Sequence, residues 1–338
     1  MSVIRRIVVL TTLGLAVTGG VALASPSNGA NKVKVDVSVP SVLVSNGRHV
    51  WIANTGTSSV LELDARTGAE LRNVSGSKYR FDISDGIATY GDEVWVANAA
   101  SDSVTVFHAS TGKLVHVLSG PKFNLEVPGR IVIADKHVFV LNQSGTRMTE
   151  IDESTGSRIK VLTGPHYSFA DTHDMVVVRN DVWTANGAGA GSLTEFSAAT
   201  GKVVRIVRAS AGHFDGPRAL ATDGARIWVV SAAGSHLSEL NAGNGRLIVT
   251  ISNPKHRLSG FDSISFVERT VWMASTHRGG LVLGVNAATG ATVAVLSHRF
   301  GYPAVTADFN HAWIVDRTQS RVTELNPVTG AVIRVITN

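Results

Sequence analysis

Residues 94–113 read VWVANAASDSVTVFHASTGK, and the order of residue types in this stretch decides the architecture. Val94–Ala97 is apolar without alternation, as expected of a strand covered on both faces. Asn98–Ser103 and Ser110-Thr111-Gly112 are turn formers, and Val104–Phe107 between them has strand character. Upstream, Ile87-Ala88-Thr89 and the Gly91-Asp92 break add a first strand; downstream, Leu114–Leu118 adds a fourth. The unit is four short strands joined by tight turns.

The unit recurs. Trp51, Trp95, Phe139, Trp183, Trp228, Trp272 and Trp313 stand at spacings of 44, 44, 44, 45, 44 and 41, which places all six tryptophans in one register. Each is followed by a glycine-containing pair: Thr67-Gly68, Thr111-Gly112, Thr155-Gly156, Thr200-Gly201, Asn244-Gly245, Thr289-Gly290 and Thr329-Gly330. Seven copies span residues 41–338. Four antiparallel strands per copy predict an all-β protein, a seven-bladed β-propeller. A β-sandwich would not repeat sevenfold, and tight antiparallel hairpins suit a radial blade better than a solenoid coil. The tryptophans are expected to pack between blades. The asparagines three residues later (Asn54, Asn98, Asn142 and Asn186) are expected to bond their own turn backbone. Ahead of the first copy, Val33, Val35, Val37 and Val39 alternate with Lys34, Asp36 and Ser38, which predicts that residues 33–39 pair with the last blade and latch the ring.

Composition agrees with a folded export. The 338 residues are 44% hydrophobic and 17% charged, with 33 glycines, so the chain is far too apolar for disorder. The absence of cysteine excludes disulfides, thiolate metal sites and cysteine nucleophiles. Arg5 and Arg6 precede the uncharged apolar run 7–24, which ends Ala22-Leu23-Ala24 before Ser25-Pro26. This is the pattern of a signal peptide over 1–24, its run too weakly apolar for a good membrane span. Residues 25–40 then read as a linker with the closing strand, and the mature protein is expected to be secreted or held at the cell surface. Removing the two arginines takes the formal charge from +5 to about +3, a weakly basic balance.

The repeat VWVANAASDSVTVFHASTGK resembles that of the YVTN-type β-propeller family, with Val-Ala-Asn or near variants in place of the eponymous tetrapeptide. The resemblance covers all seven units. It implies a secreted or cell-surface seven-bladed propeller, often used for binding, and carries over no catalytic residues.

Function is expected on the face bearing the long connections: 75–86 (SGSKYRFDISDG), 119–130 (SGPKFNLEVPGR), 163–174 (TGPHYSFADTHD), 208–218 (RASAGHFDGPR), 252–263 (SNPKHRLSGFDS) and 297–303 (SHRFGYP). The opposite turns are minimal. A rigid scaffold with one elaborated loop face is the usual mount for a site. Two rings emerge when the loops are aligned. An outer, basic-aromatic rim comprises Lys78, Lys122, His166 and Lys255, with His213 and His298 displaced, accompanied by Tyr79, Phe123, Tyr167, Phe214, Phe261, Phe300 and Tyr302. Such a rim can take anionic or carbohydrate ligands. An inner ring at the mouth comprises Ser41, Asp85, Gly129, His173, Arg218, Asp262 and Pro303, with Arg130 and Asp174 adjacent. This register varies from copy to copy, as a specific site must. Asp85, His173, Asp174, Arg218 and Asp262 can make an acid–base site, hold a divalent cation, or simply cap strand ends as salt bridges.

Catalytic motifs are otherwise lacking: no nucleophile elbow, P-loop, His-Glu-x-x-His or dinucleotide fingerprint occurs. Asn186–Ser192 is a glycine-rich hairpin, and Asn73-Val74-Ser75 and Asn142-Gln143-Ser144 match the glycosylation sequon. The expected function is a non-catalytic binding module whose partner is a protein, a carbohydrate or an anionic ligand. One alternative is a lyase that looks like the streptogramin lyases, which implies a histidine and carboxylate-held magnesium. His277 fits such a loop, but Ser275 and Thr276 precede it, and Glu126 is the only glutamate in the long loops. The other alternative, a binder of nucleic acid or acidic polymers through the rim, sits poorly with the modest net charge.

Overall fold

A computed structural model describes residues 30–338 apart from Ser144, Pro254, His298, Arg299 and Phe309. Residues 1–24, read above as a signal peptide, residues 25–29 of the linker, and His298 of the rim lie outside the described residues. Seven antiparallel four-stranded sheets follow one another along the chain, and each inner strand lies against the inner strand of the next. Blade one is Pro40–Ser45, His49–Asn54, Ser59–Asp64 and Glu70–Ser75. Blade two is Ser84–Tyr90, Glu93–Asn98, Ser103–His108 and Leu114–Ser119, so the deciding stretch falls into strands as read. Blades three to six open at Pro128, Thr172, Pro217 and Ser263, and blade seven runs from Pro303 to Thr337.

Closure is made by the segment ahead of blade one. Asn31–Lys34 pairs in parallel with Arg334–Thr337, giving blade seven a fifth strand. Pairing thus starts earlier than residue 33 and ends near Val35, whose N–H reaches Thr337 O at 2.8 Å. Val35 and Val37 then turn inward and are buried with Leu43, Val50, Trp313 and Ile336, filling the seam between blades seven and one. Residues 38 and 39 are held by Gly56 and Thr55 of blade one.

The second strands are buried on both faces, and all six tryptophans are at most 1% exposed. Burying so large a ring contributes about 2–3 kcal/mol each. The asparagines that recur three residues after the aromatic differ from expectation. Asn54 Nδ2 donates to Asp36 O at 2.8 Å, and Asn142 Nδ2 to Asn124 O at 3.2 Å, so these side chains tie down the connection that leads into the blade. Asn98 and Asn186 instead join buried hydroxyls: Ser84, Ser103 and Thr105 in blade two, and Thr172, Ser192 and Thr194 in blade four. Thr105 and Thr194 pass the network on to the carbonyls of Tyr79 and Tyr167. A turn bond satisfies only its own loop, whereas these networks anchor each long connection to its blade.

A second repeated device is ionic. Glu62, Glu150, Glu195, Glu239 and Glu324 stand directly across from the aromatic of the second strand, and none is more than 4% exposed. Facing four of them on the outer strand are Arg72, Lys160, Arg205 and Arg334. Arg72, Lys160 and Arg334 also donate to carbonyls in the next blade's outer turn, at Ser110, Thr200 and Arg66. The last of these crosses the seam from blade seven to blade one. A charge that would be costly to bury alone thereby bonds two blades. Blade two has Val106 at the glutamate position and blade six has Gly284. A Cβ on Gly284 would lie 2.9 Å from the Trp272 ring, whose Nε1 makes the interblade bond itself, to Pro327 O at 3.2 Å.

Candidate functional site

The inner ring is built on backbone irregularities. Pairing between the first and second strands slips at Pro40/Val42, Ser84/Gly86, Pro128/Ile131, Thr172/Asp174 and Pro217/Ala219. The skipped residues are Ser41, Asp85, Gly129 with Arg130, His173 and Arg218. A bulge re-aims the side chain it carries, so five successive blades turn a variable residue toward the mouth of the central channel. Blades six and seven show no such slip.

A cavity of about 450 Å³ opens there, lined among others by Ser41, Asp85, Arg130, Gln143, Asp171 and His173. A second, about 310 Å³, continues along the channel past Arg130 and Asp174 to Thr222, Ser263, Ser265 and Thr306. Arg130 borders both. Its Nε lies 3.5 Å from Asp174 Oδ1, and Asp174 Oδ2 accepts the Leu220 N–H at 2.9 Å, so one carboxylate links blades three, four and five. Burial pushes the Asp174 carboxyl up, against the opposing pull of Arg130. Asp85 is likewise raised by burial, with Arg317 and Arg130 drawing it down. His173 Nε2 stands 3.1 Å from Asp171 Oδ2. Arg218 reaches Asp262 Oδ1 at 3.7 Å, and the other oxygen of Asp262 accepts from Thr276 N and Oγ1 at 3.0 and 2.8 Å. His277, 75% exposed, lies 3.8 Å from Asp262 Oδ1.

Asp85, Arg130 and His173 therefore share one cavity, and Asp174 stands on the wall of the deeper one. Arg218 and Asp262 form a separate interblade pair. The carboxylates of Asp174 and Asp262 are engaged by arginines of the preceding blade. Among the described residues no group of three or more His, Asp or Glu side chains stands together as a metal site, so the divalent-cation reading of the inner ring finds no ligand set there. The arrangement presents fixed charges of both signs to a polar, water-sized-to-small-ligand opening.

The outer rim does not join this site. Lys78, Lys122, His166 and Lys255 are exposed and line neither channel cavity. Tyr79, Phe123, Tyr167, Phe214, Phe261 and Phe300 are at most 7% exposed. They plug the spaces between blades; the Tyr79 and Tyr167 hydroxyls even reach Gly112 O and Gly201 O, at 2.6 and 2.7 Å, in the next blade. Only Tyr302, 61% exposed, offers a free ring. Lys78 Nζ lies 5.0 Å from the centroid of Tyr79 and Lys122 Nζ 4.9 Å from that of Phe123, so these two rings are covered by their own neighbours. The sequence reading did not single out Gln143 and Asp171, which line the mouth, or Arg317, whose charge acts on Asp85. Their signal was available in the short connection after the second strand and in the end of the long loop, positions that vary between copies just as the inner ring does.

Fold and site together define a seven-bladed β-propeller with a charged, asymmetric mouth. The family model described as outer membrane protein assembly factor BamB matches residues 5–207, more than half of the chain, and the chain belongs to that family. No curated protein matches it significantly. Among solved structures it is similar to Kuenenia stuttgartiensis hydrazine synthase at 14% identity, over 89% of this chain and 99% of that one, with a TM-score of 0.67. It is also similar to virginiamycin B lyase from Staphylococcus aureus at 13% identity, over 84% and 93%, with a TM-score of 0.63. The computationally designed Ika8 protein is similar at 15% identity, over 88% and 87%, with a TM-score of 0.62. Likenesses at such identities speak for the fold alone.

Proposed function

We propose that the chain is an exported binding module that engages its partner at the channel mouth, and that its repeats are of the YVTN type. The observation that carries the reading is the contrast between two sets of positions. The tryptophan and glutamate registers stay nearly constant around the ring, while the bulged positions hold Ser41, Asp85, Arg130, His173 and Arg218 in turn. Packing needs sameness in every blade; recognition of one partner needs difference. The family description, an assembly factor, suits a protein partner better than a small substrate. Export is supported by the pattern of residues 1–24.

The test is site-specific photo-crosslinking in the producing cells. A photoreactive residue at Gln143 in the mouth is expected to give discrete adducts, and one at Thr111 on the opposite face none. Reversing the mouth charges with Asp85→Arg and Arg130→Glu should remove the adducts. His173→Ala should weaken them while moving the melting temperature little. Equal adducts from both faces, or none from Gln143, would overturn the reading.

A further inference from the structure

The charges of the loop face are unevenly distributed. Lys255, His256 and Arg257 follow one another in the connection from blade five to blade six, Arg278 from the second turn of blade six reaches Arg257, and neither the lysine nor the arginines have a carboxylate ion pair among the described residues. The outer-strand cations Arg72, Lys160, Arg205 and Arg334, by contrast, are each neutralised by a glutamate. The nearby carboxylate, Asp262, is already shared among Arg218, His277 and Thr276.

The two guanidinium groups are held in place. Arg257 Nη2 donates to Gly234 O at 2.8 Å, and Arg278 Nη1 to Arg257 O at 2.7 Å. Arg278 also lies over the buried Phe261 ring, 5.2 Å from its centroid. Each guanidinium has five N–H donors, so these bonds tether it and leave further donors for a ligand. Like charges are thus locked together on main-chain carbonyls. Burial and Arg257 pull the Arg278 guanidinium below its ordinary value, and burial, Arg278 and Lys255 do the same to the His256 imidazole. A partner anion would relieve that crowding with charge-assisted hydrogen bonds.

We propose that Arg257, Arg278 and Lys255 form a binding site for a tetrahedral oxyanion, a phosphate or sulfate group carried on a ligand, on the loop face over blades five and six. The site shares with the proposed function the view that this face binds, but it lies apart from the mouth and is tested separately. The purified protein is titrated calorimetrically with inorganic phosphate, sulfate and glycerol 3-phosphate, at ionic strength held constant with chloride. Saturable binding that weakens at least tenfold in Arg257→Gln/Arg278→Gln is expected, with Lys78→Gln/Lys122→Gln unchanged. Because both arginines also brace loops, Lys255→Gln serves as a second variant, expected to weaken binding several-fold at an unchanged melting temperature. Preference for the ester over the free anions would assign the group to a larger ligand; the reverse would assign it to the free ion. Absence of saturable binding, or equal affinity in the arginine and lysine variants and the parent, would overturn the proposal. Persistence of binding in the Asp85→Arg/Arg130→Glu protein would keep it standing even if the mouth failed its own test.

Discussion

Glu195 shows how much one repeated residue can carry. It faces Trp183, pairs with Arg205 Nε at 2.5 Å, and yet burial, with Asp181 adding to it, pushes its carboxyl up to about 7. The other buried glutamates have a histidine or arginine where blade four has Asp181, as His49 stands by Glu62 and His137 by Glu150. A carboxyl raised on folding binds its proton more tightly in the native state, so its contribution to stability is lost as pH rises from about 4.5 to about 7. The loss amounts to roughly 3 kcal/mol if that displacement is taken whole. Glu195→Gln is expected to flatten the fall in urea-unfolding free energy between pH 5 and 8, whatever its stability at one pH; an unchanged slope would remove the role. Gly284→Ala tests the opposite kind of position. Its methyl would meet the Trp272 ring at 2.9 Å, and a loss of about 1–3 kcal/mol by thermal melting is expected.

At the scale of the element, the parallel strand Asn31–Lys34 and the bond from Arg334 to Arg66 hold the same seam. Arg334 is 7% exposed, with its Nε 2.8 Å from Glu324 Oε2. Arg334→Ala would leave the buried Glu324 with His311 alone, whose Nε2 lies 3.6 Å from its Oε1, while cutting the crossing to blade one, at a cost of about 3 kcal/mol in urea unfolding. Adding Glu324→Gln should return a large part of it. If the double variant is no more stable than the single one, closure rests on the valines of the seam rather than on the ion pair. The strand pattern of each blade was legible because period and turn chemistry are local. The parallel sense of the closing strand was not, since alternation of Val33, Val35 and Val37 says which face is apolar and nothing about direction. The bulges of the inner strands were equally hidden: a slip of register is decided by what presses on the strand from the neighbouring blade.

For the whole molecule, the architecture and the variable inner ring were both present in the chain, the first as a repeat of 44 residues and the second as the register where the repeat fails. Asp85, Arg130 and His173 do meet in one cavity, whereas the aromatic rim dissolves on folding because large rings are worth more between blades than in water. The glutamate clamp was legible in ELD, EID and their counterparts but is easily passed over, because a charged residue in an alternating strand reads as solvent-facing. By itself the sequence determined blade number, strand order and the packing residues, since these depend on periodicity and on side-chain size. Which charges face one another was decided only by the tertiary structure. Arg130 with Asp174, Arg218 with Asp262, and the unneutralised set around Arg278 come from different blades, and their encounter depends on ring closure and on bulges that no local pattern records.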